Sequence, residues 1–221
     1  MTTEADTACP GGGVVRDAAP RIGDHAPEFR CRSTGGPISL ADYRGRWLIF
    51  FSHPADFTPV CTTEFVAFAR HAEDFAKANC ALLGHSVDSL FSHMAWLRAI
   101  EARFEVKVPF PVIEDPSMAI ARAYGMLDPA AKNSATVRGL FIIDPEGIIR
   151  MSCFYPMSAG RNVAEILRTL HALQAGDAHQ IATPENWQPG EPVIDIEAMA
   201  QNNDAGLAEW IYPIRNLELA Q

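Results

Sequence analysis

One turn constrains this chain more than any other stretch: Ser52-His53-Pro54-Ala55-Asp56-Phe57-Thr58-Pro59-Val60-Cys61-Thr62-Thr63-Glu64. Directly before it runs Trp47-Leu48-Ile49-Phe50-Phe51, apolar throughout. A run with no polar face predicts a strand buried on both sides. Directly after it, Phe65, Phe68, Ala69, Ala72, Phe75 and Ala76 recur at helical spacing, with Arg70, Glu73, Asp74 and Lys77 between them. That pattern predicts an amphipathic helix. The stretch is therefore a strand-to-helix turn.

The start of the helix follows from residue type. Thr58 suits the N-cap, and Pro59 suits the first helical position, where its missing N–H has no partner to lose. Cys61 then falls at the third helical position. First-turn N–H groups lack intrahelical partners and the macrodipole is positive there, so the position favours a thiolate over a thiol. An N-cap hydroxyl turns toward the N–H at that third position, which makes Thr58 and Cys61 expected neighbours. Pro54 and Pro59 stiffen the turn. The competing reading is a buried structural cysteine, since free cysteine is among the most buried residue types.

Pro54, Thr58 and Cys61 match the Pro-x-x-x-Thr-x-x-Cys motif of the peroxiredoxins, and Phe51-Ser52-His53-Pro54 through Glu64 resembles their one-Cys subfamily. The resemblance covers roughly residues 20 to 195. It takes in Leu83-Gly84-His85-Ser86-Val87-Asp88-Ser89, Val137 through Pro145, and Tyr155-Pro156-Met157 with Gly160-Arg161. It implies a thioredoxin-like α/β fold with a mixed central sheet flanked by helices, a small C-terminal dimerisation arm, and thiol-based peroxide reduction.

That chemistry needs a thiolate to attack one oxygen in line with the O–O bond, and donors aimed at both oxygens. Cys61 supplies the sulfur. Thr58 Oγ and the N–H groups of Val60 and Cys61 are candidate donors. Arg138 lies among apolar residues, where an unpaired guanidinium is costly; on pattern alone it either enters the site or reaches solvent from a strand end. The resemblance assigns Arg138 to the peroxidatic site, makes Arg161 a second family arginine, and has Glu64 orient both by bidentate pairing. His53 either hydrogen-bonds Cys61 or the leaving hydroxide, or packs against Trp or Phe in a loop. His71, His85 and His93 have ordinary structural explanations. No His/Cys cluster has metal-ligand spacing, so no metal and no cofactor is expected.

The product of the first step is a sulfenic acid on Cys61. The five cysteines are Cys9, Cys31, Cys61, Cys80 and Cys153, with no Cys-x-x-Cys among them. None lies beyond Cys153, so a one-cysteine cycle recycled by an external thiol is expected. Cys80 and Cys153 stay open as resolving partners if local unfolding frees them. Some one-Cys relatives carry a phospholipase activity on a serine just before this strand; Arg46 stands there, and no Gly-x-Ser-x-Gly occurs. A Cys-x₅-Arg phosphatase is excluded because Ala67 stands six residues after Cys61. The rival to an enzyme is a peroxide sensor or chaperone-like oligomer with little turnover.

Composition sets the outer limits. The 221 residues are 48% apolar, enough for one sizeable core, and the formal charge of −9 argues against nucleic acid or an anionic membrane as main partner. No apolar run reaches the ~20 residues of a membrane helix. The N-terminus has no secretory pattern, which points to the cytoplasm and its reducing conditions. The expected partners are hydrogen peroxide and alkyl hydroperoxides, a thiol reductant, and further copies of the chain as a homodimer or a decameric ring.

The expected divisions are a flexible leader at 1–19 with its Gly11-Gly12-Gly13 run, a core domain at 20–176, and a C-terminal arm at 177–221. Within the core, a hairpin around Gly35-Gly36-Pro37 contains Cys31. A strand runs over Ala81 to Val87, and a helix capped by Asp88 or Ser89 carries Leu90, Met94, Leu97, Ile100 and Phe104. A short helix stops at Gly125. A hairpin spans Thr136 to Tyr155 with Asp144-Pro145-Glu146-Gly147 at its tip, and a helix from Asn162 ends at Gly176. Past a proline-rich stretch at Thr183 to Gly190, the arm from Ile194 carries Trp210, Ile211, Tyr212, Ile214 and Leu217, too few to form a core alone. It either folds back on its own domain or covers a partner, and the resemblance favours the partner.

Overall fold

The computed structural model describes residues 19–128, 130, 133–197 and 214–217. The leader apart from Ala19, Cys9, and Trp210, Ile211 and Tyr212 of the arm lie outside the described residues.

The chain folds around Trp47–Ser52 (β3), all six residues of which are buried. Its side chains alternate between two cores, as strand geometry requires. Ile49 and Phe51 join Phe65, Phe68, Trp96, Ile166 and Leu170 on one side. Leu48 and Phe50 join Tyr43, Ile120, Tyr124 and Ile149 on the other. The first core lies under three helices: Pro59–Arg70 (α1), Leu90–Phe104 (α3) and Val163–His179 (α5). The second lies under Ala119–Ala123 (α4) and the segment around Tyr43. This is the α/β arrangement expected, with helices on both faces of one sheet.

The remaining strands are Arg30–Ser33 (β1), Gly36–Ser39 (β2), Cys80–Ser86 (β4), Val112–Glu114 (β5), Arg138–Ile143 (β6) and Ile149–Tyr155 (β7). The sheet order is β2-β1-β5-β4-β3-β6-β7. β3 and β4 run parallel, and β6 runs antiparallel to β3, so the start of β6 lies beside the end of β3. Topology thus brings Arg138 to the turn that holds Cys61. Cys31 is a strand residue of the β1–β2 hairpin, as expected.

Three elements differ from the sequence reading. The helix after Cys61 is broken at His71, and Ala72–Lys77 (α2) follows as a separate piece; the His71 ring and the His71 N–H both engage the Ala67 carbonyl. In α3 the buried residues are His93, Trp96 and Ile100, while Met94 and Phe104 are exposed. Ser89 is the cap, accepting from Ser92 N–H. Finally, α5 runs through Gly176 and ends at Gln180, in the left-handed conformation.

Past α5, Ile181, Trp187 and Val193 form a small third core with Ala172, Ala175 and Leu217. Val193–Ile194 (β8) pairs with Ile214–Arg215 (β9). The described part of the arm packs on α5 of its own chain. No helix among the described residues is long and apolar enough to cross a membrane.

Candidate active site

β3 ends at Ser52, and the chain turns through buried Pro54. Phe57 adopts φ 58°, the left-handed region that bulky residues avoid at a cost of about 1–2 kcal/mol. This bend delivers Thr58 as the N-cap and Pro59 as the first helical residue. One expectation fails here. The Thr58 hydroxyl makes no capping bond; Oγ1 donates instead to the Ala55 carbonyl at 2.8 Å. Its proton is committed within the turn, so it faces other groups as an acceptor.

Cys61 is fully buried. It is not sealed in hydrocarbon, because Arg138 Nη1 lies 3.4 Å from Sγ. The same Nη1 donates to Glu64 Oε2 at 2.7 Å, and Nε and Nη2 both donate to the Met157 carbonyl, at 3.1 and 2.8 Å. Every nitrogen of that guanidinium has a partner, which is how so large a cation stays buried.

Glu64 follows Cys61 by three residues and so shares its helix face. Its Oε1 accepts from Arg161 Nε and N–H, both at 2.8 Å, and its Oε2 accepts from Arg161 Nη2 at 2.9 Å. The pairing is bidentate with Arg161 and single with Arg138. Arg161 also donates to the Gly139 carbonyl at 2.8 Å and the Ser52 carbonyl at 3.0 Å. Burial alone would push the Glu64 carboxyl up; hydrogen bonds and charge from Arg161, with the Arg138 charge behind them, hold it below the usual range. Gly160 packs close to Val60, where an added Cβ would come 3.4 Å from Val60 Cγ1.

His53 takes the loop-packing alternative. Its ring lies against Phe65 and Trp96, with centroids 4.8 and 5.0 Å away, and Nε2 bonds Asp56 Oδ1 at 2.9 Å. Asp56 also receives His93 Nδ1 at 2.9 Å, while His93 Nε2 meets the Ile113 carbonyl at 3.2 Å. Burial holds His53 below its ordinary value against the opposing pull of Asp56. Among the described residues, His53, Asp56 and His93 are the one group whose ligand atoms converge closely enough to hold a metal ion. The bonds from both rings to Asp56 tie those atoms to one another. Spacing in the sequence did not show this group, because His93 comes from α3. Asp56, Ser52 and the Met157 carbonyl were missed for that kind of reason, each being joined to a residue far along the chain, whereas His93 has the structural role expected of it.

The other described cysteines are free. Cys80 pairs with Trp47 while Ser52 pairs with His85, which puts Cys80 five residues, about 16 Å, back along the sheet from the turn. Burial pushes its thiol up to about 12. Cys153 lies opposite Leu140 on β7 and packs against the core that contains Cys61; burial raises its thiol too. Burial, with Asp115 and Glu114 nearby, takes Cys31 to about 11.

Two family models match the chain: AhpC/TSA over residues 22–152, and the C-terminal domain of 1-Cys peroxiredoxin over residues 172–199. A protein named Peroxiredoxin from Thermoplasma volcanium is 46% identical over 195 residues, covering 86% of this chain and 95% of that one. Peroxiredoxin 2 from Picrophilus torridus is 51% identical, covering 86% and 96%. Among solved structures, that of a yeast mitochondrial 1-Cys peroxiredoxin superposes with a TM-score of 0.80 at 37% identity, covering 90% of this chain and all of that one. A cysteine-to-serine mutant of the Peroxiredoxin 6 of Arenicola marina gives 0.77 at 34% identity, covering 82% and 86%.

Proposed function

This chain belongs to the AhpC/TSA family of peroxiredoxins, thiol-dependent peroxidases, and from that premise we propose how its residues divide the work. The Cys61 thiolate attacks the nearer oxygen of ROOH. An S–O bond forms, the O–O bond breaks, and RO⁻ leaves to take up a proton. Cys61 is left as sulfenic acid. Two molecules of an external thiol then return it to the thiol, releasing water and a disulfide.

The observation that carries this reading is the Arg138 guanidinium 3.4 Å from the Cys61 sulfur. Arg138 and Arg161 share the single carboxylate of Glu64, which leaves one positive charge over. An ionised Cys61 balances it, and negative charge developing on the leaving oxygen is stabilised by the same cation. Thr58, with its own proton given to Ala55, accepts the O–H of the peroxide and so orients it. The N–H groups of Val60 and Cys61 face the attacked oxygen, and buried Pro54 keeps water from the turn without adding a donor. Glu64 and Arg161 hold Arg138 in place. His53 supports the loop through Asp56 rather than touching the sulfur.

The chemistry needs no prosthetic group. The substrates are hydrogen peroxide and alkyl hydroperoxides, in a reducing compartment such as the cytoplasm. The enzyme assembles at least as a homodimer. β7 is the outer strand of the sheet; its start is paired with Gly23 and Asp24, while its far end carries exposed Phe154 and Tyr155, and an open strand end of that kind is a template for a second copy. Stopped-flow oxidation of wild type, Cys61→Ser and Arg138→Ala by both peroxide types tests the assignment. Unchanged kinetics in Cys61→Ser would move the chemistry to another thiol.

A further inference from the structure

The pairing of β3 with β6 stops one step short of the site. Phe51 pairs with Leu140, but the next pair, Ser52 with Gly139, is not made between main chains. The Ser52 hydroxyl fills the gap. Gly139 N–H donates to Oγ at 2.9 Å, and Oγ donates to the Val137 carbonyl at 2.6 Å. Those two groups belong to the peptide bonds on either side of Arg138. One hydroxyl therefore brackets the backbone from which the guanidinium springs.

We propose that Ser52 is a positioning residue for Arg138, fixing the direction in which its side chain leaves the sheet toward Cys61. Three further observations agree. Ser52 is fully buried, so no solvent competes for its hydroxyl. Its carbonyl accepts from Arg161 Nη2, which ties the same residue to the second arginine. Gly139 leaves room for the bracket: a Cβ there would come within 3.3 Å of Ser52 Oγ and 3.2 Å of Met126 Cγ. Without the hydroxyl, the buried Gly139 N–H and the partly buried Val137 C=O on either side of Arg138 lose this partner. Such groups are costly to leave unpaired, and the backbone shifts to satisfy them. A misplacement of about 1 Å at a reacting centre is worth up to ~10²-fold in rate.

The inference rests on Arg138 acting on the peroxide, and its test separates the two claims. Second-order rates of Cys61 oxidation by hydrogen peroxide are measured for wild type, Ser52→Ala, Arg138→Ala and the double variant. Ser52→Ala is expected to slow oxidation roughly 10- to 100-fold. In the Arg138→Ala background the same change is expected to cost no more than about twofold, the non-additivity of residues acting through one another. An equal fold loss in both backgrounds overturns the proposal, since a general structural role would not depend on Arg138. A wild-type rate in Ser52→Ala overturns it as well. If Arg138→Ala itself reacts as fast as wild type, the arginine assignment fails instead. Gly139→Ala crowds the same hydroxyl from the other side and takes the place of Ser52→Ala should that variant not fold; it too must lose rate only while Arg138 is present.

Discussion

Arg138 and Cys61 stand 77 residues apart in the chain and meet with Nη1 3.4 Å from Sγ. The meeting is a product of topology: an antiparallel strand starts where a parallel one ends. Arg138→Ala is expected to slow oxidation by peroxide about 10²–10³-fold, the usual cost of deleting one preorganised donor. Cys61→Ser is expected to abolish it. Stopped-flow mixing reads both, and a loss in Arg138→Ala below about tenfold would show that the helix terminus does most of the work.

Glu64 is the shared anion of two buried cations. Glu64→Gln keeps the shape and removes the charge, leaving two guanidinium groups facing each other. Breaking a buried pair typically costs about 3–5 kcal/mol. Denaturant unfolding is expected to show a loss of that order, with slower peroxide oxidation. A stability within about 1 kcal/mol of wild type would mean that solvent reaches the pair.

Acid is expected to loosen the fold in two steps of the same sign. Burial keeps His53 and His85 below their ordinary values, while Asp56 and Asp115 pull the other way. The unfolded chain therefore binds more protons below about pH 6.5, and stability is lost as pH falls from there. Asp56, Asp115 and Glu64 are held below the usual carboxylate range, so a second loss begins below about pH 4. The groups facing these histidines are His93, Asp56 and Asp88 for His53, and Asp115 and His93 for His85. Chemical denaturation across about pH 2–8 checks the sign of both steps; His85→Gln should flatten the upper step, and an unchanged slope would clear His85 of it.

Oxidised protein is expected to carry a trappable sulfenic acid and no bridge from Cys61 to Cys80 or Cys153. Peptide mapping after one equivalent of peroxide decides this. A Cys61–Cys153 disulfide would end the one-cysteine cycle and make β7 a mobile element.

The strand-to-helix turn was legible because its signals are local: a buried run, an N-cap threonine, a proline after it. The hairpin with its Asp144-Pro145-Glu146-Gly147 tip was legible for the same reason. The α3 face was not. Ile100 is buried and Leu97 packs on the core as their pattern suggests, but Met94 and Phe104 are exposed while His93 and Trp96 go inside, His93 with Asp56 and the Ile113 carbonyl as partners and Trp96 donating to Thr62 Oγ1. Gly176 did not stop α5, because that end of the helix is covered by the Ile181 and Trp187 cluster. The Thr58 hydroxyl went to Ala55 instead of the helix, a choice made by the bend at Phe57.

The complete burial of the Cys61 sulfur divides the catalytic cycle by size. Hydrogen peroxide is two oxygens across and needs only a small shift of neighbouring side chains to touch it. A glutathione or a protein thiol is far too bulky to follow. A reductant of that size reaches the oxidised sulfur only if the opening turn of α1 gives way. The ease of that opening would then set how long the enzyme stays oxidised.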